Sequence, residues 1–293
     1  LNDIYSCAVG RGIEQPAALD YAGAAMAAIF AGDLLSLFVF WELSAVASAL
    51  VIWAGGTPTA YRAGMRYLAM QLGSGMLLAA GAALHYADKG SLAFDAIGLA
   101  SPGGVLLLAA FGIKCAFPLL HNWLQDAYPE ASATGTVILS AFTTKIGIYA
   151  LARGFPGEEL LVYVGVTMAV FPIFFPVIEN DLRRVLAYSL NNQLGFMVVG
   201  IGLGTELGLN GAVAHAFADI LFKGLLFMSM GAVLLRVGTV KATELGGLHK
   251  SMPWTTVLCI VGAASISAFP LFSGFATKSM IMTSAAQEGY TAV

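Results

Sequence analysis

Apolar runs of about 20 residues recur along the whole chain, and polar positions are gathered into short stretches between them. A run of that length crosses a hydrocarbon core of roughly 30 Å as a helix. Nine intervals can be marked: 15–32, 33–54, 62–86, 103–127, 132–153, 159–178, 183–203, 208–236 and 253–287. They are apolar on every face, without the alternating segments of about ten residues that a transmembrane barrel requires. The pattern predicts an all-α polytopic membrane protein with about nine transmembrane helices.

Asp33 alone separates the first two intervals, and the fourth and ninth contain Pro118 and Pro270. Proline removes a backbone donor and clashes with the preceding turn. In a membrane the freed carbonyl must be satisfied by protein or water. Two broken helices are therefore expected, with a plain proline kink as the alternative. Internal similarity is weak to the eye, yet the two proline-bearing spans lie five apart. That is the pattern of structural repeats, and an odd count makes them inverted. The expected halves are residues 15–153 and 159–287, the second one truncated.

Composition agrees with this reading. Of 293 residues, 58% are hydrophobic and 11% charged, against about 25% charged in soluble domains. Mean hydropathy is +0.81. The formal charge is −3 and no basic stripe exists, so nucleic acid is not an expected partner. Cys7, Cys115 and Cys259 are far apart, which suits small buried hydrophobes rather than disulfides or a metal. Gly200, Gly204 and Gly208 have the spacing of close helix packing. Lys and Arg set orientation. Arg62, Arg66, Arg183, Arg184, Arg236, Lys241 and Lys250 follow even-numbered spans, against Arg11, Lys89 and Arg153 on the other side. Loops after even-numbered spans are thus expected in the cytoplasm. The chain starts at Leu1 and stops soon after an apolar run, so it reads as a fragment at both ends.

The informative residues are ionisable groups inside the spans, where each costs about 2.5–3.5 kcal/mol at a helix centre. They are Glu42, Lys114, His121, Lys145, His215, Asp219, Lys223 and Lys278. On an unbroken helix, Lys114 and His121 would share a face. His215, Asp219 and Lys223 recur every four residues and form one stripe. That stripe should face the interior, with Asp219 paired to His215 or Lys223. Glu42 is expected to partner one of the lysines, and Lys145 lies too deep to snorkel easily to a surface. Lysines linked by water can hand on protons. No Walker, Rossmann or zinc-protease motif is present, and no arrangement suggests hydrolysis or a bound metal.

The segments AGDLLSLFVFWELSAVAS, KCAFPLLHNWLQDAYPEASATGTVILSAFTTKIGIYALARGF, NDLRRVLAYSLNNQLGFM, HAFADILFKGLLFMSMGAVL and LGGLHKSMP followed by ISAFPLFSGFATKSMI carry a resemblance. Together they resemble the antiporter-like subunits of respiratory complex I, membrane-bound hydrogenases and Mrp cation/proton antiporters. The D-type subunits of Mrp antiporters look closest. The resemblance implies two inverted five-helix repeats, each with a broken helix. It implies a proton relay of Glu42, Lys114, Lys145, His215, Asp219, Lys223 and Lys278, with Glu42 paired to Lys114 and helix breaks at Pro118 and Pro270. Asp219 departs from the His or Asn more common at its position. The implied function is proton translocation within a multisubunit monovalent cation/proton antiporter, without a cofactor or catalytic chemistry of its own. Partners would be other membrane subunits, the lipid bilayer, protons and Na+, in a prokaryotic plasma membrane. The alternative is the membrane subunit of a redox-driven complex, an NADH:quinone oxidoreductase or a membrane-bound hydrogenase. A scaffold with an inactive channel is a third reading, disfavoured by the joint presence of Glu42, Lys114, Lys145 and Lys278.

Overall fold

The computed structural model describes residues 12–290, so Cys7 and Arg11 lie outside the described residues. Its helices are α1 (Glu14–Phe30), α2 (Leu34–Trp53), α3 (Pro58–Lys89), α4 (Pro102–Lys114), α5 (Asn122–Ala127), α6 (Gly135–Gly154), α7 (Glu159–Val170), α8 (Phe174–Ile178), α9 (Leu182–Leu203), α10 (Glu206–Val237), α11 (Leu248–Ser251), α12 (Pro253–Ile266) and α13 (Ser273–Gln287). Every interval marked from hydropathy is occupied by a helix or by two helices in succession. Among the described residues, five spans are long and apolar enough to cross a membrane: α2, α3, α6, Glu159–Ile178 and α10. One interruption was not anticipated. A 3₁₀ turn at Phe171–Ile173 separates α7 from α8, where Pro172 and Pro176 each withhold a backbone donor.

Helix ends follow local chemistry. Asp33 accepts Ser36 N at 2.8 Å and starts α2, and Thr57 and Thr205 cap α3 and α10 in the same way. Helices α3 and α10 have 32 residues each, roughly 48 Å at 1.5 Å per residue. Each ends on a left-handed glycine, Gly90 or Gly238. After each of them the chain returns to pair with the start of the preceding helix. Leu34 N meets Leu92 O at 2.8 Å, and Leu182 N meets Val240 O at 3.1 Å.

Both expected breaks are present and share one backbone. The tetrapeptide Ala-Phe-Pro-Leu occurs at 116–119 and again at 268–271. Ala116 and Ala268 have φ of 58° and 56°, and Leu119 and Leu271 have 71° and 76°. Left-handed backbone costs a non-glycine residue about 1–2 kcal/mol, so each break is a held conformation. The hydrogen bonds repeat too. Phe117 N reaches Gly112 O at 2.9 Å, and Phe269 N reaches Ala264 O at 3.0 Å.

The core runs between these elements. Trp41, Phe94, Phe111 and Phe155 form a buried aromatic group in the first half, and Trp123 packs between Tyr67 and Tyr128. The glycines at 200, 204 and 208 do not form one helical face. Gly204 ends α9 with φ of +66° and Gly208 belongs to α10, because the left-handed cap interrupts the four-residue register. They mark close packing all the same: a Cβ on Gly200 would lie 2.7 Å from Gly208 O, and one on Gly208 would lie 2.8 Å from Gly200 O, where α9 meets α10. Helices α7 and α9 approach as tightly. A Cβ on Gly165 would lie 2.8 Å from Gly195 O, and one on Gly195 would lie 2.6 Å from Gly165 O. Cys115 is buried and Cys259 half-buried, and both are free thiols.

Candidate functional site

The break after α4 frees the end of that helix to point a lysine inward. Lys114 is 1% exposed. Its Nζ donates to Ser44 Oγ at 3.0 Å and to Trp41 O at 3.4 Å, and lies 4.2 Å from the centre of the Trp41 ring. Trp41 and Ser44 are three residues apart and share a face of α2. Glu42 is turned about 100° from Trp41. Its carboxylate rests against Gly75 of α3. The expected Glu42–Lys114 ion pair is therefore not made. The two charges act on each other only at longer range.

His121 is also displaced from its expected place. It precedes α5, beyond the break, and its ring meets Phe171 edge-on at 5.9 Å. The left-handed residues of the break destroy the seven-residue register with Lys114.

The stripe on α10 faces inward as expected: His215, Asp219 and Lys223 are each 0% exposed. Their partners lie on other helices. His215 Nδ1 is 2.8 Å from Thr277 Oγ1, and Nε2 is 3.2 Å from Gln193 Oε1. Lys223 Nζ donates to Leu186 O at 3.0 Å. Asp219 pairs with neither stripe neighbour. Its Oδ2 is 2.5 Å from Lys145 Nζ, which corrects the expectation. Helical spacing of four puts side chains on one face but leaves carboxylates free to reach across to α6. Asp219 Oδ1 is buried with no hydrogen-bond partner among the described residues. Lys145 also donates to Ser140 O at 3.1 Å and is 8% exposed, so it does not snorkel.

At the second break, Lys278 turns back from α13. Its Nζ donates to Ile266 O at 2.8 Å and sits 4.8 Å from the centre of the Phe196 ring. The ammonium thus occupies the carbonyl end of α12, where the helix dipole favours a cation. Pro118 and Pro270 occupy equivalent places in the two breaks.

Several participants escaped sequence reasoning. Arg183 reads as one of the loop charges, yet it is 4% exposed. Its guanidinium donates to Ala131 O at 2.9 Å, Ser132 O at 3.0 Å and the Thr136 hydroxyl. It ties α9 to the connection before α6. Glu14 accepts the hydroxyls of Ser132 and Thr134 from the other side. Gln71 is fully buried with both amide atoms unpartnered among the described residues. A sequence signal existed only for the breaks, in the repeated Ala-Phe-Pro-Leu. Among the described residues no three His, Cys, Asp or Glu side chains are grouped to hold a metal ion.

The sequence profile described as NADH:quinone oxidoreductase/Mrp antiporter, TM, matches residues 31–293. The chain belongs to this family. It is 30% identical over 284 residues to the D-type subunit of the Na(+)/H(+) antiporter of Alkalihalophilus pseudofirmus, covering 90% of this chain and 57% of that protein. It is 30% identical over 288 residues to hydrogenase-4 component B of Escherichia coli, covering 85% and 43%. Among solved structures, a chain of the Mrp complex from Dietzia sp. DQ12-45-1b superimposes with a TM-score of 0.93 at 28% identity, over 99% of this chain and 59% of that one. The chain spans about half the length of the relatives it matches. Membership makes it a polytopic membrane chain of the antiporter-like fold.

Proposed function

We propose that the chain is the proton-translocating core of an antiporter-like subunit in a multisubunit monovalent cation/proton antiporter. The observation that carries this reading is the buried Lys145–Asp219 pair. It joins α6, which packs on the helix of Lys114, to α10, which packs on the helix of Lys278. Lys114 and Lys223 are held only by neutral acceptors. A lysine so held can release a proton and take it back. A proton arriving at Lys114 or Lys278 would repel the Lys145 ammonium and loosen its hold on Asp219, which couples the halves. The halves are read as two inverted repeats, 15–153 and 159–287, because caps, returning segments and breaks recur in the same order. Protons, a second cation such as Na+, and neighbouring membrane subunits are the expected partners, in a prokaryotic plasma membrane.

Similarity to hydrogenase-4 component B and to NAD(P)H-quinone oxidoreductase chain 4 supports a second reading. There the same relay is driven by electron transfer in partner subunits. Either reading is tested by Lys145→Met in the assembled complex, with proton flux measured in inverted vesicles. Flux should be abolished with assembly intact. Flux at the wild-type rate would show that Lys145 is structural.

A further inference from the structure

We infer that Gly75 is a positioning residue: the space left by its missing side chain is the slot that turns the Glu42 carboxylate into the protein. This rests on the relay reading, because it concerns how Glu42 takes part. Glu42 lies on the outer strip of α2. Val39 and Val46, one turn to either side on the same face, are 52% and 46% exposed. A carboxylate that followed that strip would stand against acyl chains, which is costly. Instead the side chain crosses to α3. A Cβ built on Gly75 would coincide with Glu42 Oε1, collide with Cδ and lie 3.2 Å from Cγ. No other atoms contest the place so closely.

The comparison with the second half gives the slot its meaning. Gly75 stands at the same place in α3 as Lys223 in α10, both helices of 32 residues. Gln71, one turn earlier, stands where Asp219 does. The second half fills this place with a lysine from the helix itself. The first half leaves it empty and fills it with a carboxylate from α2. The unpartnered amide of Gln71 faces the same interior, so the carboxylate enters a polar region and not an apolar one.

The clash is with the far end of a flexible side chain, so Gly75→Ala should fold and assemble while expelling the carboxylate. Gly73, on the same helix, has nothing within 4 Å of the point where a Cβ would stand and serves as the control. Proton flux would be measured in inverted vesicles and normalised to assembled complex. Gly73→Ala should keep the wild-type rate. Gly75→Ala should slow flux about tenfold or more, as expected for a misplaced acid–base group. Glu42→Asp shortens the side chain by one methylene, so Gly75→Ala/Glu42→Asp should run faster than Gly75→Ala. A wild-type rate in Gly75→Ala, with Glu42→Gln inactive, would overturn the slot and leave the relay standing. Slow flux with no recovery in the double variant would also overturn it, since the defect would then be packing. A wild-type rate in Glu42→Gln would overturn the relay reading itself.

Discussion

The two helix breaks are alike in backbone and unlike in wiring. At the first, the carbonyl of Ile113 is taken by the indole of Trp123 at 3.0 Å, and Lys114 turns away to Ser44 and Trp41. At the second, Phe275 stands in the place of Trp123 and has no donor to offer. There a carbonyl one position further along, that of Ile266, is taken by Lys278. A neutral donor closes one break and an ionisable one closes the other. The backbone motif therefore fixes only where carbonyls are released. Side chains decide whether a released carbonyl meets a neutral donor or an ionisable one.

The largest contrast should appear at the junction between the halves. Asp219→Ala would leave Lys145 buried and unpaired, a loss of about 3–5 kcal/mol. Lys145→Met/Asp219→Asn should recover most of that stability in thermal unfolding of the purified complex, without recovering proton flux. Equal destabilisation in the single and double variants would mean that the pair is not what holds α6 to α10.

A smaller effect is expected at the first break. Trp123→Phe removes the side-chain donor to Ile113 O and leaves it to backbone N–H groups, Ala116 N at 3.1 Å among them. The cost should be about 1–3 kcal/mol, read as a lowered denaturation midpoint. Phe275→Leu at the second break removes no hydrogen bond and should be milder. If the two cost the same, the difference in wiring has no energetic content.

The smallest effect belongs to the caps. Asp33 and Asp181 start α2 and α9, and Asp181 accepts Arg183 N at 2.8 Å. Asp33→Ala should cost about 1 kcal/mol. The backbone N–H of Ser36, and then its hydroxyl, hold the Asp33 carboxyl below the usual carboxylate range. Its contribution is thus present above the unfolded carboxyl's pKa and lost as pH falls through the lower folded value. The stability gap between wild type and Asp33→Ala should close in acid. A gap that persists there would show that the charge does not act through the cap.

Hydropathy and the two prolines were enough to place the helical intervals and both breaks, since those depend on local properties: transfer of apolar runs and the missing proline donor. The repeated Ala-Phe-Pro-Leu was readable as well, though only the matching φ angles make it meaningful. Pro172 and Pro176 also left a local trace, as the 3₁₀ turn inside the 159–178 interval. The inward stripe of His215, Asp219 and Lys223 followed from its period of four. The partners of that stripe did not, because pairing across helices depends on which faces meet and not on spacing along one helix.

The sequence by itself determined that the chain is helical and membrane-bound, where two helices break or kink, and which ionisable residues lie inside the apolar spans. Each of these follows from residue type and period. Tertiary structure decided that Asp219 holds Lys145, that Glu42 leans on Gly75 instead of Lys114, and that Arg183 is buried. Those outcomes turn on the rotation and approach of helices distant in sequence, which set the distances on which every hydrogen bond and ion pair depends.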